Sequence, residues 1–226
     1  MAIFLLFLYN ILDVYLEKGN YMKFEVFVTG PIQVNTYLLY DEISKDSILI
    51  DVGGSADKII NKINELNLKV LGIYNTHGHF DHILGAKEIQ EKLNIPFYVH
   101  KGDELFVENL ETQMAYYGMP SALPPKVSGY IDNNSEIKLG KNIIKVIETP
   151  GHTEGGVCYL ADDMLFSGDT LFLESIGRTD LPGGDYSTLK NSIRENLFTL
   201  NENIKVYPGH EASTSIGHEK EYNFMV

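Results

Sequence analysis

Three histidines and one aspartate fall within a single short segment, and this crowding constrains the fold of the chain more than any other feature. The segment reads Thr76-His77-Gly78-His79-Phe80-Asp81-His82 and lies between an apolar run and a helical pattern. His77 and His79 are expected to project to the same side of an extended turn, whereas Asp81 and His82 open the next helix and diverge from them. Because His is a common metal ligand and rarely clusters by chance, we predict two adjacent metal positions here.

Two further histidines occupy matching contexts later in the chain. They stand in Thr149-Pro150-Gly151-His152 and Tyr207-Pro208-Gly209-His210, each directly after an apolar run. Proline ends strand pairing and glycine allows a tight turn, so each imidazole should lie at the carboxyl end of a strand, where sites in α/β proteins usually form. Asp169, in Ser167-Gly168-Asp169-Thr170, offers a carboxylate that can bridge two cations, although alone it would equally suit a turn. His100 and His218 lack such contexts, and we interpret them as ordinary, partly exposed histidines.

From Lys23 onward, short apolar runs alternate with helical patterns, which is typical of a layered α/β domain. The predicted strands are Phe24 to Val28, Thr36 to Tyr40, Ser47 to Asp51, Val70 to Asn75, Phe97 to His100, Ile137 to Glu148, Val157 to Ala161, Met164 to Phe166 and Ile204 to Tyr207. The predicted helices are Asp57 to Leu66, one that includes Ile83 to Leu93, Asp103 to Asn109, and Tyr186 to Leu200. The segment Glu111 to Val127 is rich in proline and aromatic residues, so we expect no regular structure there and interpret it either as a lid or as a surface crossover.

The first 21 residues are strongly apolar and precede the first expected strand. A secretory signal would require basic residues near its start, but no Lys or Arg occurs before Lys18. The apolar run is also too short to span a bilayer. We favour the interpretation that translation naturally starts at Met22, and we expect residues 1–21 to add nothing to the active site. Residues 22–226 should form a single domain.

The charge balance and the cysteine count restrict partners and compartment. The chain has 18 Lys and Arg against 31 Asp and Glu, a formal net charge of −13, which argues against nucleic acid and against an anionic membrane surface as partners. The single cysteine, Cys158, excludes an internal disulfide and suits a reducing compartment, so we expect a cytoplasmic protein. The sequence leaves the oligomeric state open.

The order of these motifs, an H-x-H-x-D-H segment, a PGH, a GD and a final PGH, resembles the metallo-β-lactamase superfamily. The resemblance covers the chain from Lys23 to its C-terminus and implies a four-layer αββα sandwich with a metal cluster at one edge of the two sheets. It also implies two metal sites joined by a bridging carboxylate. The implied ligands are His77, His79 and His152 for the first site, Asp81, His82 and His210 for the second, and Asp169 for the bridge.

Within the superfamily, the stretch from Ser175 to Asp185 and the tail from Thr214 to Glu219 resemble the short bacterial glyoxalase II-like proteins. Glyoxalase II hydrolyses the thioester S-D-lactoylglutathione and carries a helical glutathione-binding domain, for which too few residues follow His210. Recognition should then come from Gln113 to Pro125 and Glu174 to Asp185, and we expect a broad thioesterase with weak affinity for glutathione thioesters. Arg178 is either paired with a nearby aspartate or a clamp on a substrate carboxylate.

The resemblance implies a metal-dependent hydrolase that acts on a small-molecule thioester. Two divalent cations, zinc with iron or manganese as alternatives, would share Asp169 and a water and lower the pKa of that water enough to give hydroxide near neutral pH. Asp81 is expected to orient the hydroxide and to pass a proton to the leaving thiolate. The alternative is a persulfide dioxygenase of the same fold, which uses one iron and resembles this chain around Gly177-Arg178-Thr179-Asp180.

Overall fold

The structure of the protein is a computed structural model that describes residues 21–226. The expected N-terminal extension therefore lies, apart from Tyr21, outside the described residues. Two six-stranded sheets, a two-stranded ribbon and a set of short helices make up the described part of the chain.

The first half of the chain builds the first sheet, in which the strands follow one another in sequence order. Its strands are β1 (Met22–Thr29), β2 (Val34–Asp41), β3 (Asp46–Ile50), β4 (Lys69–Tyr74), β5 (Phe97–His100) and β6 (Val127–Ile131). The first three strands pair antiparallel, and β3 to β6 pair parallel. The helices between the parallel strands are α1 (Ala56–Glu65), α2 (Phe80–Ile83), α3 (Ala86–Leu93), a 3-10 turn at Lys101–Asp103, α4 (Glu104–Glu108) and α5 (Leu110–Tyr116).

The second half builds the second sheet. Its strands are β7 (Glu136–Leu139), β8 (Asn142–Glu148), β9 (Val157–Ala161), β10 (Met164–Gly168), β13 (Lys205–Pro208) and β14 (Thr214–Ser215), in the spatial order β14-β13-β10-β9-β8-β7. The small ribbon consists of β11 (Leu171–Phe172) and β12 (Ser175–Ile176). The helical segments are α6 (Tyr186–Ser192), a π-helical turn at Ile193–Leu197, and α7 (Ile216–Tyr222).

Three apolar clusters stack these elements into four layers. One cluster lies between the helices of the first half and the outer face of the first sheet and includes Ile59, Ile89 and Phe97. A second fills the space between the sheets, and a third joins the second sheet to α6 and α7. The central strands of each sheet are therefore buried on both faces, and the expected αββα sandwich is confirmed.

The middle segment departs from the expectation of no regular structure. Leu110–Tyr116 is helical, and Leu110 and Met114, one turn apart, are both buried beneath it. All prolines of this segment come after the helix, between Pro120 and Pro125, so they do not interrupt it. The expectation of irregular structure was wrong for residues 110–116, and strand β6 at the end of the segment was missed.

Three other predicted elements are divided in the structure. The predicted helix that includes Ile83 to Leu93 is interrupted after Ile83 and forms α2 and α3. The predicted strand from Ile137 to Glu148 is a hairpin that turns at Gly140, whose φ of 60° favours glycine. The predicted helix from Tyr186 to Leu200 is α-helical only to Ser192 and then widens into a π-helical turn. Cys158 lies buried in β9, as the apolar pattern predicted, and burial raises the pKa of its thiol to about 11.

Candidate metal centre

The first four candidate ligands lie in the loop that follows β4, with His77 and His79, and in the first turn of α2, with Asp81 and His82. Asn75 donates from its side-chain amide to the His77 carbonyl at 2.7 Å, and the Gly78 amide donates to Oδ2 of Asp103 at 2.7 Å. A Cβ on residue 78 would lie 2.7 Å from Cβ of Phe106, so only glycine fits at this close approach. The loop is thus held at both sides of Gly78, with His77 and His79 turned towards the edge of the sheets.

The other three candidate ligands follow strands of the second sheet. His152 follows β8, Asp169 follows β10 and His210 follows β13. Gly151 has a φ of 130°, and any Cβ there would overlap the backbone of Leu189. Both sheets therefore deliver side chains to one edge of the sandwich, as the strand-end motifs predicted.

The first group consists of His77, His79 and His152, whose ligand atoms lie within 4.8 Å of one another. Nδ1 of His79 is 2.9 Å from Nε2 of His152. All three side chains are buried. Three nitrogens that converge in this way form a tripod for a single cation.

The second group consists of Asp81, His82 and His210, again with ligand atoms within 4.8 Å. Oδ2 of Asp81 lies 3.1 Å from Nε2 of His210 and 3.6 Å from Nε2 of His82. Asp81 and His82 lie in the first turn of α2, and the His82 ring contacts the first group, with its centroid 4.1 Å from that of His77.

Asp169 lies between the two groups. Its Oδ1 is 3.3 Å from Nε2 of His82, and its Oδ2 is 3.7 Å from Nε2 of His152 and 3.8 Å from Nε2 of His210. One carboxylate thus faces both groups, as the bridging prediction requires. The structure brings all seven predicted ligands together, and their binding of metal stays a prediction.

Three polar atoms in the cluster are buried without any hydrogen-bond partner: Nε2 of His77, Nε2 of His82 and Oδ1 of Asp169. The last two are near each other but are not aligned for a hydrogen bond. Leaving such atoms unsatisfied costs about 1–3 kcal/mol each, so their presence in one place needs a compensating ligand. Imidazole and carboxylate donors suit zinc, iron and manganese, so the residues fit a pair of divalent cations.

The electrostatics of the cluster also fit cations. Burial, reinforced by the surrounding imidazoles, lowers the pKa of His77 well below its usual value, and burial with His152 lowers the pKa of His79 to about 3. Burial opposes protonation of His82, but the nearby carboxylates outweigh it and raise its pKa well above the usual value. Burial likewise opposes ionisation of Asp169, yet His82 and its neighbours hold the pKa of that carboxyl below its usual value. The first group thus offers neutral nitrogens, whereas in the second group the carboxylates hold a proton on His82, in the place that a cation would take.

A set of outer contacts fixes the rings of the histidines. Nδ1 of His77 faces the Thr76 hydroxyl at 3.0 Å, Nδ1 of His82 faces Oδ2 of Asp51 at 3.0 Å, and Nδ1 of His152 faces the Arg178 carbonyl at 2.8 Å. In each case the contact leaves Nε2 turned towards the cluster, which is how such partners usually orient metal-binding imidazoles. The sequence interpretation missed these partners. Only Asp51 left a signal, since it directly follows β3 at the same sheet edge.

Two buried side chains tie neighbouring loops to the cluster. Asp103 accepts hydrogen bonds from the amides of Gly78 and Gly155 and from the Thr153 hydroxyl. Asn35 donates to the carbonyls of Pro208 and Glu211, both at 3.1 Å, and so spans His210 from either side. These roles were also missed, because they join segments far apart in the sequence.

Arg178 has an exposed side chain that forms a bidentate pair with Asp180, with Nε–Oδ1 at 2.7 Å and Nη2–Oδ2 at 2.8 Å. Of the two interpretations of this residue, the ion pair is therefore present. A contact of Arg178 with substrate stays a prediction.

His100 and His218 lie outside the cluster, as expected of ordinary histidines. Nε2 of His100 is 3.3 Å from Oε1 of Glu148, and Nε2 of His218 is 3.0 Å from Oε1 of Glu174.

A cleft of about 540 Å³ opens beside His79. Its walls come from α4, α5 and the segment at 180–183, so both segments predicted to surround the cluster contribute to it. The interpretation of Glu111 to Val127 as a lid stays a prediction.

In the described part of the chain, no helix combines the length and the apolar character needed to cross a bilayer.

Residues 29–210 match the family model of the metallo-beta-lactamase superfamily. The chain is 39% identical over 207 residues to the probable metallo-hydrolase YqgX of Bacillus subtilis, covering 89% of this chain and 96% of that protein. It is 34% identical over 206 residues to the hydroxyacylglutathione hydrolase GloC of Haemophilus influenzae, covering 89% and 97%.

Solved structures resemble the chain over the same extent. The BLEG-1 B3 metallo-beta-lactamase has a TM-score of 0.82 at 35% identity, covering 89% of this chain and 98% of its own. The di-iron-bound form of TTHA1623 has a TM-score of 0.81 at 31% identity, covering 89% and 100%. ETHE1 from Myxococcus xanthus has a TM-score of 0.75 at 29% identity, covering 89% and 83%.

Proposed function

Because the chain belongs to the metallo-β-lactamase superfamily of metal-dependent hydrolases, we propose that it hydrolyses thioesters at a pair of divalent cations. One observation carries the proposal. Nε2 of His77, Nε2 of His82 and Oδ1 of Asp169 are buried without a hydrogen-bond partner, where the two ligand groups meet. The similarity to GloC, a hydroxyacylglutathione hydrolase, supports the thioester as substrate.

Each ligand group would hold one cation. His77, His79 and His152 would hold the first, Asp81, His82 and His210 the second, and Asp169 would serve both. Such cations supply an activated water and polarise the carbonyl that it attacks. Zinc, iron and manganese all accept this set of ligands, and the di-iron form of TTHA1623 supports iron beside zinc.

Asp81 is the residue best placed to manage the proton. Burial works against its charge, but His82 and His210 outweigh burial and keep its pKa below the usual value, so the carboxylate is ionised at neutral pH. It can therefore orient the attacking water and relay the proton. The oxygen of water adds to the thioester carbon, the carbon–sulfur bond breaks, and the proton released by water passes to the departing sulfur.

The nature of the leaving group supports a thioester over an amide as substrate. A thiolate departs without strong help from a general acid, whereas an amide nitrogen must be protonated as it leaves. Because Asp81 is ionised, it has no proton of its own to donate to a leaving nitrogen, and it suits the first reaction better. The similarity to BLEG-1, a B3 metallo-beta-lactamase, nevertheless makes a β-lactam a necessary comparison substrate.

The test measures three reactions with one metal-loaded preparation. These are release of free thiol from S-D-lactoylglutathione, oxygen consumption with glutathione persulfide, and opening of a chromogenic cephalosporin. We expect thiol release to dominate and Asp81→Asn to reduce it about 100-fold or more, the usual range for a proton-transfer group. The control variant is Asp57→Asn, an exposed aspartate on α1. Dominant oxygen consumption would overturn the proposal in favour of the dioxygenase, and dominant cephalosporin opening in favour of a lactamase.

A further inference from the structure

The cleft beside His79 has walls that are apolar and aromatic, and resting on the proposed function, we infer that it binds an uncharged apolar or aromatic half of the thioester. It would select against thioesters that place carboxylates there, as a glutathione thioester does. This names the substrate class that the proposed hydrolase would prefer.

The cleft is continuous with the metal centre. His79 lines it, and the ring of Phe106 packs edge-on against the His79 imidazole with centroids 5.3 Å apart. Gln113 holds the two together, because its amide donates to the carbonyls of Gly78 at 3.0 Å and Phe106 at 2.8 Å and its oxygen accepts from the Phe80 amide at 3.0 Å. A group bound in the cleft therefore lies directly next to the site where the carbonyl would react.

The walls expose unusually large apolar side chains. Tyr116 is 78% exposed and Leu105 is 68% exposed, and both line the cleft. Tyr117 stands edge-on to Tyr116 at 5.1 Å and tilts against Phe80 at 4.8 Å, which fixes the ring positions. Large rings held open to solvent beside a reactive centre are typical of a surface that an apolar ligand covers.

The charges of the cleft are negative. Glu154 and Asp180 line it, and no Lys or Arg does among residues 21–226. Arg178, two residues from Asp180 on this rim, is held by both of its contacting nitrogens on the Asp180 carboxylate. A glutathione thioester would bring two carboxylates to this rim without a free cation to receive them, whereas a neutral ligand meets no such repulsion.

The test compares two thioethers that cannot be hydrolysed, S-benzylglutathione and S-benzyl-N-acetylcysteamine. They share the benzyl group and the sulfur, and only the first carries carboxylates. Calorimetric titration of the metal-loaded protein should show the neutral compound binding about tenfold more tightly, since like charges weaken an association. Equal binding, or tighter binding of the glutathione compound, would overturn the inference.

Two variants locate the effect. Tyr116→Ala should weaken the neutral compound about 3- to 10-fold through loss of ring contact, whereas Tyr116→Phe should keep wild-type affinity. Glu154→Gln should strengthen the glutathione compound about 2- to 5-fold and leave the neutral one unchanged, with Glu108→Gln, an exposed acid on α4, as the matched control. No change in either compound with Tyr116→Ala and Glu154→Gln would place the binding site elsewhere and overturn the inference.

Binding of these thioethers does not depend on hydrolysis, so the two proposals can fail separately. Tight binding of the neutral compound by a protein that cleaves no thioester would reject the proposed function and keep the cleft. Rapid thioester cleavage with a preference for glutathione would keep the proposed function and reject the assignment of the cleft.

Discussion

Oδ2 of Asp51 lies 3.0 Å from Nδ1 of His82, and both side chains are almost completely buried. The other oxygen of Asp51 accepts from the Thr76 amide at 2.8 Å, so a single carboxylate orients a candidate ligand and fixes the loop that bears the others. Asp51 has a φ of 53°, a conformation in which Asn and Asp are enriched.

Asp51→Asn should therefore keep the backbone conformation but weaken the hold on His82. We expect the affinity for the second cation to fall about 10- to 100-fold, the usual effect of removing a partner that orients a metal ligand. Titration of the metal-free protein with Zn²⁺ against a chelator measures it. Asp162→Asn is the matched control, since Asp162 is exposed and has a φ of 58°. Wild-type affinity at both positions in Asp51→Asn would contradict this role.

Asp169 should be the residue whose loss affects both cations. We expect elemental analysis of metal-replete protein to give two ions per chain, because seven ligands exceed what one ion with an open water position uses. Asp169→Ala should lower the occupancy of both positions. Asp163→Ala, at an exposed aspartate before the opposite end of β10, should lower neither. One ion per chain in the wild type would favour the mononuclear alternative.

Asn35 should act through the loop that carries His210. Removal of its two side-chain hydrogen bonds by Asn35→Ala should cost about 1–3 kcal/mol in the free energy of unfolding, because the Pro208 and Glu211 carbonyls lose a donor. The affinity for the cation that His210 would help to hold should fall as well. Denaturant unfolding and metal titration measure the two effects, with Asn64→Ala on the exposed face of α1 as control. A stability loss without any change in metal affinity would show that the loop holds His210 unaided.

Arg178 and Asp180 should separate structure from substrate binding. Arg178→Ala should leave the melting temperature near that of the wild type, because exposed ion pairs stabilise proteins little. Its backbone carbonyl remains to orient His152, so metal content should not change. Asp180→Ala frees the guanidinium and should lower KM for a glutathione thioester about 3- to 10-fold, through a charge-assisted contact. If the double variant Asp180→Ala, Arg178→Ala keeps the lowered KM, the guanidinium plays no part in binding.

Local patterns were enough to predict most strands and to single out the seven candidate ligands. Phe97–His100 lies where the sequence analysis placed it, and the other strands of the first sheet differ only at their ends, apart from β6. Alternating apolar residues bounded by turn residues carry this information within a few positions. The H-x-H-x-D-H segment and the two PGH turns are equally local, which is why they could be recognised without a structure.

Helix α5 was missed because its short apolar pattern, Leu110 and Met114, is followed at once by prolines and aromatic residues. The hydrogen bonds of Gln113 to the loop of Gly78 support this helix, and they join residues 35 positions apart. Tertiary contact therefore decided the conformation of a segment whose own propensities were weak.

The sequence by itself determined the alternation of strands and helices and singled out the candidate ligands, because both depend on local residue patterns. The order of those motifs along the chain carried the resemblance to the superfamily. Only the tertiary structure decided which atom of each histidine faces the cluster and what lines the cleft. Asp51 reaches His82 over 31 positions, the Arg178 carbonyl reaches His152 over 26, and Asn35 reaches Pro208 over 173. Such partners are brought together only when the sheets pack, since burial makes an unpaired polar group costly and so selects the arrangement in which these groups meet.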